Sequence, residues 1–425
     1  MTLLAVNDGT GSSGFDIGKN ASSDRIAASI MRWSNVLVVT ASVTVLNEGL
    51  LSPAYANIPQ ILALIMWVVL IGVSVFVRPV IRTAPGTDLI VYLAFYGWAI
   101  TSVLWSNWSP AAAMKCAALL ITTVGAFRLA TRLSIEDIVR TTSIGLFLPL
   151  LASIILVVLM PDVAVDQSWM HGGQWQGIFA SKQSLGFLAA YLMFFALFRR
   201  MSGDSWLVCG TIFLMSVAAV VGSGSRGAAA LALVTCASLL AARFSRSFAK
   251  LVAFWPLVIT IMASGLMLYL YSTGYDHFPV FGTKIDLTER TFIWEYSLRH
   301  FDNHPLLGYG LNGFWSTEVL YDAYRNEHGW VLDNFHSGYV GILIETGIVG
   351  FTLFFFAAVL FAVRMVALIS SGAVSMNHCA FMVCFAALSF QMNLTETSFL
   401  RSTSYYAILL VATLFVSCQP TRPAT

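Results

Sequence analysis

The chain has 425 residues, of which 58% are hydrophobic and only 10% are charged. A soluble domain carries roughly 25% charged residues, so this composition excludes a water-soluble globular protein. The net charge of +2 at neutral pH is small, and the distribution of the charges along the chain carries more information than the total. The six cysteines form no CxxC or Cys/His pattern, which argues against a disulfide framework and a zinc site.

Apolar runs that approach the roughly 20 residues of a spanning helix recur along the chain. The alternating ten-residue strands of a membrane β-barrel are absent. Because helices are then the only structure that can cross a bilayer, we expect an all-α integral membrane protein with about twelve transmembrane helices. The predicted spans are 33–51, 58–77, 88–105, 110–127, 138–160, 183–198, 206–222, 228–242, 251–271, 338–363, 377–394 and 403–418.

These spans predict five regions. A polar, Gly- and Ser-rich stretch over 1–30 is typical of a disordered cytoplasmic tail and not of a cleavable signal. Nine spans follow over 31–271, a large loop over 272–336, three spans over 337–418 and a short cytoplasmic tail over 419–425. Basic residues are concentrated in the loops of one face, so the positive-inside rule places both termini in the cytoplasm and the large loop outside.

Nucleotide-binding and metal-binding motifs are missing from the sequence, and this narrows the range of expected functions. No Walker A phosphate loop or dinucleotide-binding glycine pattern occurs, which argues against a nucleotide-driven pump. No metal-site spacing such as HExxH occurs either, and we expect no metal, no cofactor and no nucleic-acid partner. The inside loops are short, so chemistry is expected at the outer face. The substrate there must arrive already activated.

Two arginines are candidates for holding an anion. Arg226 lies in the short turn 222–227 between two apolar runs. It either marks the turn and extends to the lipid headgroups, or it joins the N–H groups of the neighbouring glycines and serines around a phosphate. Arg290 opens the polar part of the loop. It is either a solvated charge paired with Asp286 or Glu289, or a second cation of the site.

His336 stands at the end of the loop, immediately before the tenth span. It is either a capping residue or a general base, since the ordinary pKa of imidazole near 6.5 suits proton acceptance at neutral pH. The pattern over 291–301 predicts an amphipathic helix on the membrane surface or over a cavity. Three further ionisable residues are candidates for substrate binding: Lys182, Arg299 and Glu345.

Four motifs follow one another along the chain: Ser225-Arg226-Gly227, Arg290 to Trp294, His304 to Gly310, and His336 with Glu345 to Gly350. The third contains the proline and glycines of a turn, and we interpret His304 within it as structural. In this order, the motifs resemble the O-antigen ligase and polysaccharide polymerase superfamily. A stretch over 175–186 is similar to the exopolysaccharide polymerase branch, from which Gln183 and Ser337 depart.

The resemblance implies a metal-independent, inverting glycosyltransferase of the GT-C type at the periplasmic face of a bacterial inner membrane. Its donor would be a glycan on undecaprenyl pyrophosphate, and its acceptor another glycan. Arg226 and Arg290 would hold the pyrophosphate, and His336 would accept the proton of the acceptor hydroxyl. The expected partners besides these glycans are the lipid bilayer, a chain-length regulator and export proteins.

Two alternatives remain open at this point. A ligase would move a finished glycan to lipid A core or to protein, and no residue distinguishes it from a polymerase. A lipid-linked-glycan flippase or transporter would instead line a path with residues such as Arg226 and Lys182. Such a transporter favours ionisable residues near mid-bilayer and broken helices in two related halves. The sequence shows no repeat between its halves.

Overall fold

The computed structural model describes residues 13–42, 50, 58–77, 86–107, 110–168, 172–280, 283–285, 287, 290–329 and 334–401. Within these residues the chain is a bundle of α-helices with one short antiparallel hairpin, so the predicted fold class, an all-α integral membrane protein, is confirmed. The elements are α1 (Ser13–Ala41), α2 (Ile58–Ser74), α3 (Thr87–Thr101), α4 (Pro110–Arg132), α5 (Ile135–Leu159), α6 (Pro161–Ala164), α7 (Lys182–Met201), α8 (Trp206–Ser223), α9 (Arg226–Phe244), α10 (Arg246–Ala253), α11 (Trp255–Thr273), β1 (Phe278–Val280), β2 (Thr283–Ile285), α12 (Arg290–Arg299), α13 (Glu318–His328), α14 (Gly338–Ser371) and α15 (Met376–Met392).

Among the described residues, eight helical segments are long and apolar enough to cross a membrane. They are α3 with the turn after it, α4, α5, α7, α8, α9, the pair α10 and α11, and α14. The apolar helices α2 and α15 are shorter, at 17 residues each. These ten elements correspond to the second to eleventh predicted spans. The number twelve stays a prediction, because the span over 33–51 is described only in part and 403–418 lies outside the described residues.

The first helix departs from the sequence prediction. A disordered tail is predicted over 1–30, whereas α1 already begins at Ser13, so the prediction was wrong for residues 13–30. The reason is that Ala27 and Met31, one helical turn apart, are both buried against the bundle. Farther along α1, the buried Asn35 donates a hydrogen bond to the hydroxyl of Thr141 in α5 at 2.7 Å.

Helices α7 and α15 form the centre of the bundle, and most of their side chains are buried. Phe198 packs on Phe381 with 4.3 Å between ring centroids, whereas Tyr191 reaches the sulfur of Met392 at 3.5 Å. Because rising numbers in one helix meet falling numbers in the other, the two helices are antiparallel. The start of α7 and the end of α15 therefore lie at one end of the bundle, which we call the upper end.

Helix α14 is broken at Gly347, whose φ of +66° is outside the helical region. The break interrupts the hydrogen bonds that the N–H groups of Ile348 and Val349 would make to carbonyls four residues earlier. The turn 304–310 replaces both. Tyr309 N donates to Ile344 O at 2.9 Å and Gly310 N to Glu345 O at 2.9 Å, while Ile348 N donates to Pro305 O at 2.9 Å and Val349 N to Leu306 O at 3.3 Å.

The connection between α11 and α14 packs around α12. The helix predicted over 291–301 is present as α12, but its predicted position on the membrane surface was wrong, because α12 is buried on nearly all sides. Its Tyr296 donates a hydrogen bond to the carbonyl of Leu320 at 2.7 Å and packs edge-on against Tyr324 of α13 at 5.0 Å. Helix α13 therefore covers the side of α12 that carries Tyr296.

The insertion of the turn into α14 predicts a large cost for Gly308→Ala. The left-handed φ of +71° strains any L side chain, and a Cβ there would also lie 2.5 Å from the carbonyl of Glu345. Gly274→Ala is the matched control, because its φ of +62° imposes a similar strain but nothing lies within 4 Å. We expect the control to lose about 1–2 kcal/mol from strain alone, and Gly308→Ala to lose more. Equal losses of melting temperature in detergent would contradict the inserted turn.

Candidate functional site

Arg290 and His336, which lie at opposite ends of a connection within the sequence, meet at one carboxylate. Arg290 Nη2 lies 3.1 Å from Glu396 Oε1, and His336 Nδ1 lies 4.0 Å from Glu396 Oε2. The three side chains are between 22% and 28% exposed, so the cluster opens to the surface without being fully solvated. Two of the three predicted catalytic residues are thus brought together by a residue that the sequence analysis does not name.

Glu396 is held in place by a turn that follows α15. The carbonyl oxygen of the buried Asn393 side chain accepts hydrogen bonds from the N–H groups of Ser398 at 2.8 Å and Phe399 at 3.2 Å. Its amide nitrogen donates to Ser398 Oγ at 2.7 Å. Gly338 N donates to the carbonyls of Asn393 at 2.8 Å and Glu396 at 3.0 Å. These bonds tie the turn that carries Glu396 to the first residue of α14, two positions after His336.

The backbone at His336 is strained. Its φ of +46° lies in the left-handed region, which costs a non-glycine residue roughly 1–2 kcal/mol. Three contacts compensate: Asn334 Oδ1 accepts from His336 N at 2.9 Å, Trp294 Nε1 donates to the Phe335 carbonyl at 2.9 Å, and Ser337 caps α14. Strain that the surroundings enforce is a frequent feature of functional sites. In this conformation His336 Nδ1 lies 4.0 Å from Glu396 Oε2.

Arg226 is the first residue of α9 and is exposed. Its guanidinium makes no hydrogen bond or ion pair with any part of the chain that the structure describes. The turn before it is shaped by Gly224, with a φ of +57°, and by Ser225, whose hydroxyl caps α9. A Cβ on Gly186 would lie 2.8 Å from Ser225 Cβ, which places the start of α9 beside the start of α7. Arg226 therefore lies at the upper end, as Glu396 does.

Lys182, the first residue of α7, is connected through Gln174 to the turn that precedes Arg226. Its ammonium donates to Gln174 Oε1, and Gln174 in turn packs against Gly224. The backbone of Gly222, in the same turn, packs closely on the ring of Trp175. The loop before α7 therefore braces the turn that presents Arg226, and Lys182 takes part in this bracing.

Two predicted substrate-binding residues lie elsewhere and have protein partners. Arg299 Nε donates to Glu295 Oε1 at 3.0 Å, and its Nη2 lies 3.1 Å from Glu327 Oε1. The hydrogen bonds with Glu295 and Glu327 raise the pKa of the Arg299 guanidinium. Glu345 Oε1 accepts from Asn312 N at 3.0 Å, beside the inserted turn. The structure does not bring either residue to Arg290 and His336.

Sequence reasoning missed Glu396 because it lies 106 residues from Arg290 and shares no motif with it. The available signal was an acidic residue directly after the eleventh predicted span, at the face where the other candidates are expected. Arg401, five residues later, also acts electrostatically on Glu396. Among the described residues, no three His, Cys, Asp or Glu side chains are grouped as a metal site requires.

The burial of Glu396 leads us to expect that the stability of the folded protein depends on pH. Burial raises the pKa of its carboxyl, although Arg290 and Arg401 act in the opposite direction. A carboxyl whose pKa is higher in the folded state stabilises the fold at acid pH, and this contribution is lost as the pH rises through the folded pKa. Glu396→Gln, which resembles the protonated acid, should therefore melt higher than the parent protein at neutral pH.

The gain in melting temperature should vanish below about pH 4, near the ordinary pKa of a glutamic acid. Glu318→Gln, at an exposed position of α13, is the control and should show no such pH-dependent gain. A Glu396→Gln variant that melts lower than the parent at neutral pH would show that the ion pairs outweigh the cost of burial.

Comparison with known families adds one match. Residues 210–355 match the family model described as O-antigen ligase. The matched residues run from α8 into α14 and include Arg226, Arg290 and His336, whereas Lys182 and Glu396 lie outside them. No curated protein matches the chain. Together with the membrane-spanning helices, the match supports the resemblance of these residues to the O-antigen ligase and polysaccharide polymerase superfamily and indicates a multi-pass membrane protein.

Proposed function

We propose that the chain is a polysaccharide polymerase, an inverting and metal-independent glycosyltransferase of the GT-C type. It transfers a glycan from undecaprenyl pyrophosphate to the hydroxyl of an acceptor sugar. The observation that carries the proposal is the meeting of Arg290, His336 and Glu396 at the upper end of the bundle, where Arg226 is also presented. Members of this superfamily are ligases and polymerases, and the cluster supplies both a base and cations.

His336 is the proposed general base. A neutral imidazole carries one proton, and a proton on Nδ1 would face Glu396 Oε2 at 4.0 Å. Nε2 is then the nitrogen that takes the proton of the acceptor hydroxyl. The Glu396 carboxylate stabilises the imidazolium that forms, and its negative charge favours the charged state electrostatically. The acceptor oxygen forms a bond to the anomeric carbon as the bond from that carbon to the phosphate oxygen breaks.

The two arginines are proposed to act on the leaving group. Undecaprenyl pyrophosphate departs with an additional negative charge, and a guanidinium can donate two parallel hydrogen bonds to a phosphate. Arg226, which has no partner among the described residues, can give its whole donor set to the diphosphate. Arg290 has five N–H donors and uses Nη2 on Glu396, so it links the base to the phosphate side of the site.

The cellular setting follows from the same proposal. With the upper end at the periplasmic face of a bacterial inner membrane, both termini are cytoplasmic, in agreement with the distribution of basic residues. The lipid carrier then enters the bundle from the outer leaflet of the bilayer. The segment over 175–186 favours the exopolysaccharide branch, with a chain-length regulator and export proteins as partners. Lys182 supports the Arg226 turn in this arrangement.

A ligase is the second candidate, and the description of the matched family favours it. The chemistry at the anomeric carbon is the same, and only the acceptor differs. Reconstituting the purified protein with an undecaprenyl-linked donor distinguishes the candidates by product. Lipid-linked polymer supports the polymerase, and transfer to lipid A core supports the ligase. Movement of donor across the bilayer without a new glycosidic bond would overturn both in favour of a flippase.

His336→Ala should abolish visible product. A positioned base contributes typically about 10²–10⁴-fold to the rate, so the variant should lose activity within this range. The comparison variant is His277→Ala, which removes a histidine of the same connection that pairs with Asp276 instead. Transfer rates are measured on detergent-purified protein after matching the amounts of folded material. Parental activity in a folded His336→Ala variant would remove His336 from the mechanism.

Arg226→Ala should reduce transfer by about 10²–10³-fold, the loss typical of one preorganised charge contact. Arg325→Ala is the matched control, because Arg325 is an exposed arginine of α13 at which no ion pair occurs in the described structure. Its removal should leave the rate near that of the parent. If the two variants behave alike, Arg226 only marks a turn and extends to the headgroups.

A further inference from the structure

We propose that the turn 304–310 is embedded in the bilayer at the upper end, with Leu306 and Leu307 among the acyl chains of the lipids. The proposed glycosyl transfer makes no use of this turn, although it is one of the motifs that stand out in the sequence. Its partner is a lipid surface. The inference depends on the fold alone and stands whether or not the proposed activity is correct.

The first argument concerns the backbone of the turn. Backbone polar groups in the hydrocarbon must be satisfied within the protein, so the carbonyls of a non-helical segment there need protein donors. At the break in α14, the carbonyls of Pro305 and Leu306 accept hydrogen bonds from Ile348 N and Val349 N. The carbonyl of His304 accepts from Gly308 N at 2.9 Å, and that of Leu307 accepts from Trp105 Nε1 at 3.2 Å. All carbonyls from 304 to 307 are thus satisfied without water.

The second argument is the exposure of the side chains. Leu306 and Leu307 are 61% and 45% exposed, although both are strongly apolar. The hydrogen bonds described above join the backbone of the turn to α14 and to Trp105. Leu306 and Leu307 therefore lie beside further exposed apolar residues. Soluble surfaces rarely carry a large continuous patch of this kind. The patch comprises Leu104, Leu306, Leu307, Ile348 and Val349.

Two tryptophans frame the patch. Trp98 Nε1 donates to the Thr346 carbonyl at 2.9 Å, next to the break, and its ring lies 5.2 Å from that of Trp105. Tryptophans are enriched where the acyl chains meet the headgroups, because the ring is apolar and its N–H is polar. Both indole N–H groups are used on the backbone of this region, so the rings fix the turn at that level.

The third argument is depth along α14. Arg364 pairs with Asp88 at 2.8 Å, and a charged pair of this kind marks the opposite boundary of the apolar layer. Seventeen residues separate Arg364 from Gly347, or about 26 Å at 1.5 Å per residue. The hydrocarbon core is about 30 Å thick. The break and the turn inserted into it therefore lie within the outer edge of the hydrocarbon.

The occupant of the patch is the bilayer because exposed apolar side chains recur along the same helices toward the opposite boundary. Below the break, α14 exposes Phe356 and Val363, and the neighbouring α3 exposes Ile90. These side chains belong to helices that cross the membrane and face lipid by necessity. A protein covering Leu306 and Leu307 would have to extend into the same lipid-facing surface.

The test places a nitroxide side chain at position 306 by Leu306→Cys labelling, in liposomes of phosphatidylethanolamine and phosphatidylglycerol. Collision with oxygen reports lipid, and collision with a water-soluble nickel chelate reports solvent. Ile261→Cys on α11 is the lipid-facing control, and Asn326→Cys on the exposed face of α13 is the solvent control. The parent protein, treated with the same label, corrects for reaction of its own cysteines, of which four of the five described are buried.

We expect position 306 to match position 261, with high oxygen collision and a nickel collision rate several-fold below that at position 326. A high nickel rate at 306 would place the turn in water and overturn the proposal. Low collision with both reagents would mean that protein, such as a second copy of the chain, covers the turn, and would also overturn it. Leu307→Cys provides a second label position, at which the same ranking is expected.

Discussion

The structure depends on the replacement of two helical hydrogen bonds in α14 by bonds to a turn from another part of the chain. A break in an apolar helix leaves N–H and carbonyl groups unpaired, which is costly in a medium without water. The turn 304–310 supplies two donors and two acceptors at that point. Tyr309 of the same turn donates to the carbonyl of His300, just after α12. The connection that carries Arg290 is thereby fixed to α14, the helix that begins two residues after His336.

The upper end of the bundle concentrates charge around a single partly buried carboxylate. Glu396 lies between Arg290 and His336, and Arg401 acts on it as well. Burial raises the pKa of its carboxyl, whereas Arg290 and Arg401 act in the opposite direction. The position of Glu396 between Arg290 and His336 therefore accounts both for the cost of desolvating its carboxylate and for its proposed role in supporting the base.

The sequence was informative about the candidate site only in part. Arg290 and His336 were named from motif order, and the structure brings both to one carboxylate. Glu345 was named because an acid near a membrane is costly, and Arg299 as an ionisable residue of the segment over 291–301, but in the structure each is bonded to protein. Residue type alone cannot separate these cases, since a charged side chain needs a partner whether or not it binds substrate. The partner is visible only after folding.

Hydrophobicity alone was sufficient to determine the class of the fold. A bilayer requires apolar runs of about 20 residues, and this requirement is local in the sequence, so ten described elements correspond to predicted spans. The turn at 304–310 was equally local, since proline and glycine act on their own backbone. Tertiary structure decided what the turn is inserted into, that α12 is buried, and that Glu396 joins Arg290 and His336. These contacts join residues from 24 to 106 positions apart, and no local propensity encodes which distant groups will meet.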